Sequence, residues 1–407
     1  VEDVINQRVI MKHRTKTKAL ILCVLCTFTV LQAQTQKSVL ADGTIYKFAT
    51  KKEGIYKLDY SSLEKLGVNP TTIDPRKIQI FGHGGGVLPE PNATERIDDL
   101  FELSIDVMGQ DDGRFDAADQ ILFYGEGADK WIFDENNEQY HKEENPYDNL
   151  NYYFLKIGDT DGKRISTDNT EGTPSYQTES YDAYQHHQID QYNLLYDANN
   201  ANLQGSGRLW VGDLFRTDRT KQFATSFDFS QAVLSDTAYV NMQFVARSAT
   251  SSKVFLDVGG FKFESTIASS DVGEIETDYA KIRSIKGPLI ISGTTPNVTI
   301  TYPSQGNNNV GWLDYLEFNF RAKLNYGQNQ LIITDLRAPE GEVCQYNINV
   351  ATGSSIRIWD ITNSLQPTEK QIIGSGQTTS FQTLQAKRSN FVAFADNHTL
   401  QPEVTGM

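Results

Sequence analysis

Along 311–324, GWLDYLEFNFRAKL, Leu316, Phe318 and Phe320 alternate with Glu317, Asn319 and Arg321. A period of two predicts a strand with one buried face and one wet face. The same alternation recurs through most of the chain. GTIYKFATKKEGIYKLD predicts strands over 44–50 and 55–59 around a Lys-Lys-Glu-Gly turn. A short helix follows, with Ser61 or Ser62 as its cap and Gly67 as its stop. Further strands are expected at 77–81, 100–107, 120–124 and 152–156. A second set falls at 222–229, 238–247, 253–258 and 261–267. NQLIITDL, VCQYNINV, SIRIWDI and NFVAFA supply a third. YDAYQHHQIDQYNLLYD, from Tyr181, reads as a polar stretch with helical character.

These elements predict an all-β, mainly antiparallel protein of two or three sandwich or jelly-roll-like domains with a few short helices. The expected divisions are an N-terminal β-domain over 38–175, a jelly-roll-like sandwich over 181–325 and a β-rich segment over 329–407. Asp, Thr, Gly and Ser dominate 158–178, which reads as a linker.

Composition agrees with that picture. Aromatic residues make up 11% of the 407, with 19 Tyr and 21 Phe, as suits pleated, half-buried surfaces. The N-terminal segment has a different logic. Residues 11–33, with Lys12, Arg14, Lys16 and Lys18 before an apolar run from Ala19 to Leu31, form a secretory signal peptide. Residues 1–10 precede Met11 and read as an over-extended start. Residues 1–33 hold five basic and two acidic residues, so their removal takes the net charge from −15 to −18. Such a surface repels phosphate backbones and disfavours nucleic acid. Of three cysteines only Cys344 survives, which excludes an intrachain disulfide. No other apolar run reaches membrane-spanning length.

FGHGGGVLPE, from Phe81, raises two chemical readings. A phosphate cradle needs a Lys and a helix start after the glycines, and Pro89 and Pro91 stand there instead. A His–Cys dyad would have to join His83 to Cys344, 261 residues away in a different block. Cys344 reads better as a small buried residue on a strand. A tight turn remains. No G-x-S-x-G supports a serine nucleophile. For a metal, Asp112, Asp116 and Asp119 in GQDDGRFDAADQ fall at positions five, nine and twelve of an EF-hand-like calcium loop. Met108 would then hold position one, and Asp119 replaces the usual Glu. An acidic turn explains the same residues. Adjacent His186 and His187 point apart and make a poor chelate. Trp131, Trp210, Trp312 and Trp359 read as core or rim residues, with exposed sugar platforms as the rival role.

Together, FGHGGGVLPE, DDGRFDAADQILFYGEG, ENPYDNLNYYFL, GSGRLWVGDLF and GWLDYLEFNF resemble the N-terminal region of PorU-type sortases. These are gingipain-family cysteine peptidases of the type IX secretion system. The resemblance implies export to the outer-membrane surface, where the whole protein removes C-terminal sorting domains from cargo and attaches the cargo outside. It implies three kinds of partner: the chain's own peptidase domain, outer-membrane components of the secretion system, and the cargo. The chain is expected to stop short of that peptidase domain and to be inactive alone, so no catalytic residue carries over. Its other reading is a free-standing secreted carbohydrate-binding or adhesion module.

Overall fold

The computed structural model describes residues 37–170, 172–193, 209–272, 279–306, 309–351, 355–374 and 376–404. The signal-peptide segment and the residues before it lie outside these. The chain divides into two compact units, 1–43 and 44–407, and all the described strands lie in the second. The fold is all-β and mainly antiparallel.

Two small sheets form the first layer pair. One has the order Ile45–Thr50, Asn151–Ile157, Ile78–Gly82, Phe101–Glu102; the other runs Gly54–Asp59, Gln120–Gly125, Asp106–Met108. Phe48, Phe123 and Tyr153 pack between them with ring centroids 5.4–5.9 Å apart. The expected strand over 100–107 is thus two strands in two sheets, because the chain changes layer at Ser104 and Ile105. The helix Tyr60–Leu66 ends at left-handed Gly67 as its sequence predicts. Its cap is Asp59, whose carboxylate accepts from the Ser62 amide at 3.0 Å and from both serine hydroxyls.

The central sandwich pairs a large sheet with the sheet Thr220–Gln222, Val298–Thr301, Ser252–Val258, Phe261–Ile267. Phe215, Phe244, Phe318 and Tyr302 fill the space between. In the large sheet the 14-residue strand Val310–Lys323 pairs with Thr237–Arg247 on one side. On its other side lie Trp210–Phe215 and Ser180–Gln188. The segment expected to be helical is therefore a strand as far as Gln188. Its register, Ser180↔Lys323 to Gln188↔Tyr315, satisfies its backbone groups on a neighbour that local pattern does not reveal. The expected strand over 222–229 shortens to Thr220–Gln222 and a 3-10 turn, Ala224–Ser226.

A third pair of sheets surrounds Tyr346, Phe381 and Phe391. The segment expected as a linker contributes two edge strands here. Thr167–Asp168 pairs with Thr368–Lys370, and Tyr176–Thr178 with Val343–Val350, both in parallel. Among the described strands, one pair joins none of these larger sheets. Strands Lys130–Asp134 and Gln139–Glu143 form a hairpin that pairs only with itself.

Candidate functional site

The polar side of Val310–Lys323 is not wet. Glu317 and Arg321 are 0% and 3% exposed, which corrects the expectation for this face. Alternating polarity marks a face that avoids the apolar core, and other protein groups cover it here as well as water could. The hairpin 130–143 lies across it. Asn319 donates to the Tyr140 carbonyl at 2.9 Å and accepts from the Tyr140 amide at 2.8 Å. Glu317 accepts from the Lys142 amide at 2.9 Å. Two side chains thus replace the missing neighbour strand of the hairpin.

Glu317 gathers four groups. His141 Nδ1 and His186 Nδ1 each lie 3.0 Å from its carboxylate, and Asn241 Nδ2 donates at 3.0 Å beside the Lys142 amide. Burial alone would raise its pKa. The His141 and His186 contacts and the amide outweigh burial and bring it down to about 2. Burial disfavours the His186 imidazolium, but the Glu144 and Glu317 carboxylates raise its pKa above the ordinary value. His187 points the other way, to Asp213 at 2.9 Å, so the adjacent histidines do diverge.

Beyond this cluster opens a cleft of ≈ 590 Å³ lined by Lys142, Glu144, Asp190, Trp210, Asp314 and Tyr315, among others. Burial, with the Asp190 and Glu144 charges opposing the Gln243 hydrogen bond, pushes Asp314 up to about 6. Trp210 is 44% exposed. An indole face beside carboxylates suits a cationic or hydroxyl-bearing ligand better than an anion. Three of the sequence motifs meet here, through Glu144, Trp210 and Asp314. The other tryptophans are placed differently: Trp359 and Trp312 are buried, and Trp131 packs on Tyr184 at 4.4 Å.

A second convergence surrounds Glu126. Gly84, Gly85 and Gly86 all have positive φ, and a Cβ on Gly85 would come 2.5 Å from the Gly127 carbonyl. FGHGGG is thus a left-handed turn laid against Glu126 and Gly127. The Glu126 amide donates to Tyr153 Oη at 2.8 Å, and Thr50 and Asn151 donate to its carbonyl. His83 sits in this turn, where burial lowers its pKa.

Cys344 is fully buried on Val343–Val350. Burial, then the Asp335 and Glu342 charges, pushes its thiol up to about 11, the opposite of an activated nucleophile. Its sulfur approaches the Pro339 carbonyl at 4.0 Å. Of the calcium candidates, Asp112 and Asp116 are exposed and Asp119 is buried. Asp119 accepts from the Asp116 amide at 2.8 Å, and Asp112 from the Arg114 amide at 2.9 Å. Among the described residues no three His, Cys, Asp or Glu side chains are grouped to hold a metal. Nor is any helix there long and apolar enough to cross a membrane.

The sequence reading missed Glu317, His141, Glu144 and Asp314. Of these only Glu317 carried a visible signal, the alternation over 316–321, where its face reads as wet.

Fold and site together define an all-β protein of paired sheets fastened by buried polar groups. Neither a family model nor a curated protein matches the sequence. Among solved structures, dimeric latent PorU from Porphyromonas gingivalis has a TM-score of 0.73 at 21% identity, over 91% of this chain and 33% of that one. The chain therefore has the fold of that region of PorU and spans about a third of its length. An insecticidal delta-endotoxin from Bacillus thuringiensis, at 10% identity over 71% of this chain and 55% of its own, has a TM-score of only 0.20 and carries no argument.

Proposed function

We propose that this chain is the non-catalytic, β-rich N-terminal region of a PorU-like cell-surface sortase. The observation that carries the reading is the PorU fold over 91% of the chain, and the five motifs support it. In this reading the protein is exported through the general secretory pathway to the outer-membrane surface. There the whole protein cleaves C-terminal sorting domains from type IX secretion cargo and attaches the cargo outside. The paired sheets position a caspase-like peptidase domain against outer-membrane partners, and the buried Cys344 takes no part in chemistry. Excision of residues 44–404 from the chromosomal gene tests this. Cargo retaining its sorting domain, detected by mass spectrometry of the surface fraction, is the expected result. Normal processing in the excised strain overturns the reading.

A second reading, a carbohydrate-binding or adhesion module, draws on exposed Trp210 in the acidic cleft. Glycan-array binding abolished by Trp210→Ala supports it, and an array without signal removes it.

A further inference from the structure

The hairpin 130–143 is attached unlike any other strand pair here. A lone two-stranded hairpin is marginal in water, and this one borrows its backbone partners from Glu317 and Asn319. Cavities of ≈ 380, 370 and 590 Å³ run along its margins, so its packing on the sheet is interrupted. Its other attachments include Trp131 and Tyr140 on Tyr184 at ring separations of 4.4 and 4.6 Å, Tyr140 Oη with Thr334 Oγ1 at 3.1 Å, and Glu135 with Lys387 and Arg388 near its tip.

His186 lies beneath it with a side chain 6% exposed. Nδ1 faces Glu317 at 3.0 Å, and Nε2 faces Glu144 at 3.6 Å, its hydrogen-bonding capacity unfilled. The charged groups around it come from every packed element. They are Glu317 and Asp314 from the long strand, His141 and Lys142 from the hairpin, Glu144 from the loop after it, and Asp190 beyond the strand's own end. Tyr315 stacks on its ring at 6.0 Å and Trp131 meets it edge-on at 6.2 Å. A protonated ring can satisfy a carboxylate on both sides. A neutral ring that still donates to Glu317 turns the Nε2 lone pair toward Glu144, and the two repel.

We propose that hairpin 130–143 is a pH-sensitive strap, clamped to the sheet while His186 is protonated and loosened as that proton leaves. Loosening uncovers Tyr315, Glu317 and Asn319. The group's pKa is raised in the folded state, so the clamp is complete below about pH 6.5 and weakens as pH rises through the higher folded value.

Hydrogen exchange of the full chain at pH 6 and pH 8.5, corrected for intrinsic rates, tests this. Amides of 139–143 should lose protection about fivefold relative to Thr237–Arg247, the scale of one charge-assisted hydrogen bond. His186→Gln should abolish the difference. Glu144→Gln, which leaves Glu317 in place and offers Nε2 an amide donor instead of a carboxylate, should also abolish the difference. Equal protection of both segments at the two pH values overturns the proposal, as does a response that persists in His186→Gln. If His186→Gln does not fold, a pH response that persists in Glu144→Gln overturns it.

Discussion

Arg321 Nη1 lies 2.6 Å from Asp335 Oδ1, with side chains 3% and 0% exposed. The pair joins the central sandwich to the third pair of sheets. Asp182 adds a second carboxylate at 3.1 Å, and Tyr176 Oη donates to Asp335 at 2.9 Å. Removal of the cation leaves two shielded carboxylates without a countercharge. Arg321→Ala should lower stability by about 3–5 kcal/mol in urea titration, the usual loss for half of a buried pair. A loss below about 1 kcal/mol would mean that water reaches the pair.

Glu317 predicts the acid limb of the stability curve. Its pKa falls from 4.5 to about 2 on folding, so its stabilisation is complete above about pH 5 and fades as pH drops toward 2. The shift corresponds to about 3 kcal/mol at most. Glu317→Gln should be less stable at pH 6 and have a flatter profile between pH 5 and 2. An equally steep profile in the variant would assign the acid limb to other carboxylates.

Glu53 predicts the reverse. Burial, then the Glu126 charge, raises it from 4.5 to about 7, against the Tyr124 hydrogen bond. The unfolded chain releases this proton before the folded one does, so stability falls between about pH 4.5 and 7 and stays lower above. Glu53→Gln should therefore stabilise the protein at pH 8, by about 1–2 kcal/mol. A destabilised variant would show that the carboxylate makes a favourable contact.

Gly85 tests the FGHGGG turn. Its φ of 70° and the 2.5 Å approach to the Gly127 carbonyl both oppose a side chain. Gly85→Ala should cost about 2–4 kcal/mol. Gly260, at φ 98° with open space around its Cβ position, isolates the backbone term, and Gly260→Ala should cost about 1 kcal/mol. Equal melting temperatures for the two variants would refute the close approach.

Cys344 should remain unlabelled by a thiol reagent at pH 8 until denaturant is added, because the thiolate is the reactive form. Peptide mapping checks this directly. Modification of the native chain would contradict the burial described.

The regularity of the alternation made most strands legible, with their edges least so. Strand 100–107 changes layer and 181–188 is not helical, because each depends on a neighbour far along the chain. The motifs were visible as strings. That Glu144, Trp210 and Asp314 share one cleft, and that FGHGGG rests on Glu126, was not.

What the amino-acid order determined was the all-β class, the apolar faces, and the turn at three successive glycines. Side-chain period and glycine's freedom at positive φ are local properties. The tertiary structure alone decided which polar faces meet water. Glu317 takes its partners from 176, 131 and 76 residues away. A carboxylate on an alternating strand looks the same in sequence whether solvent or two histidines surround it, because its solvation is set by whatever packs above it.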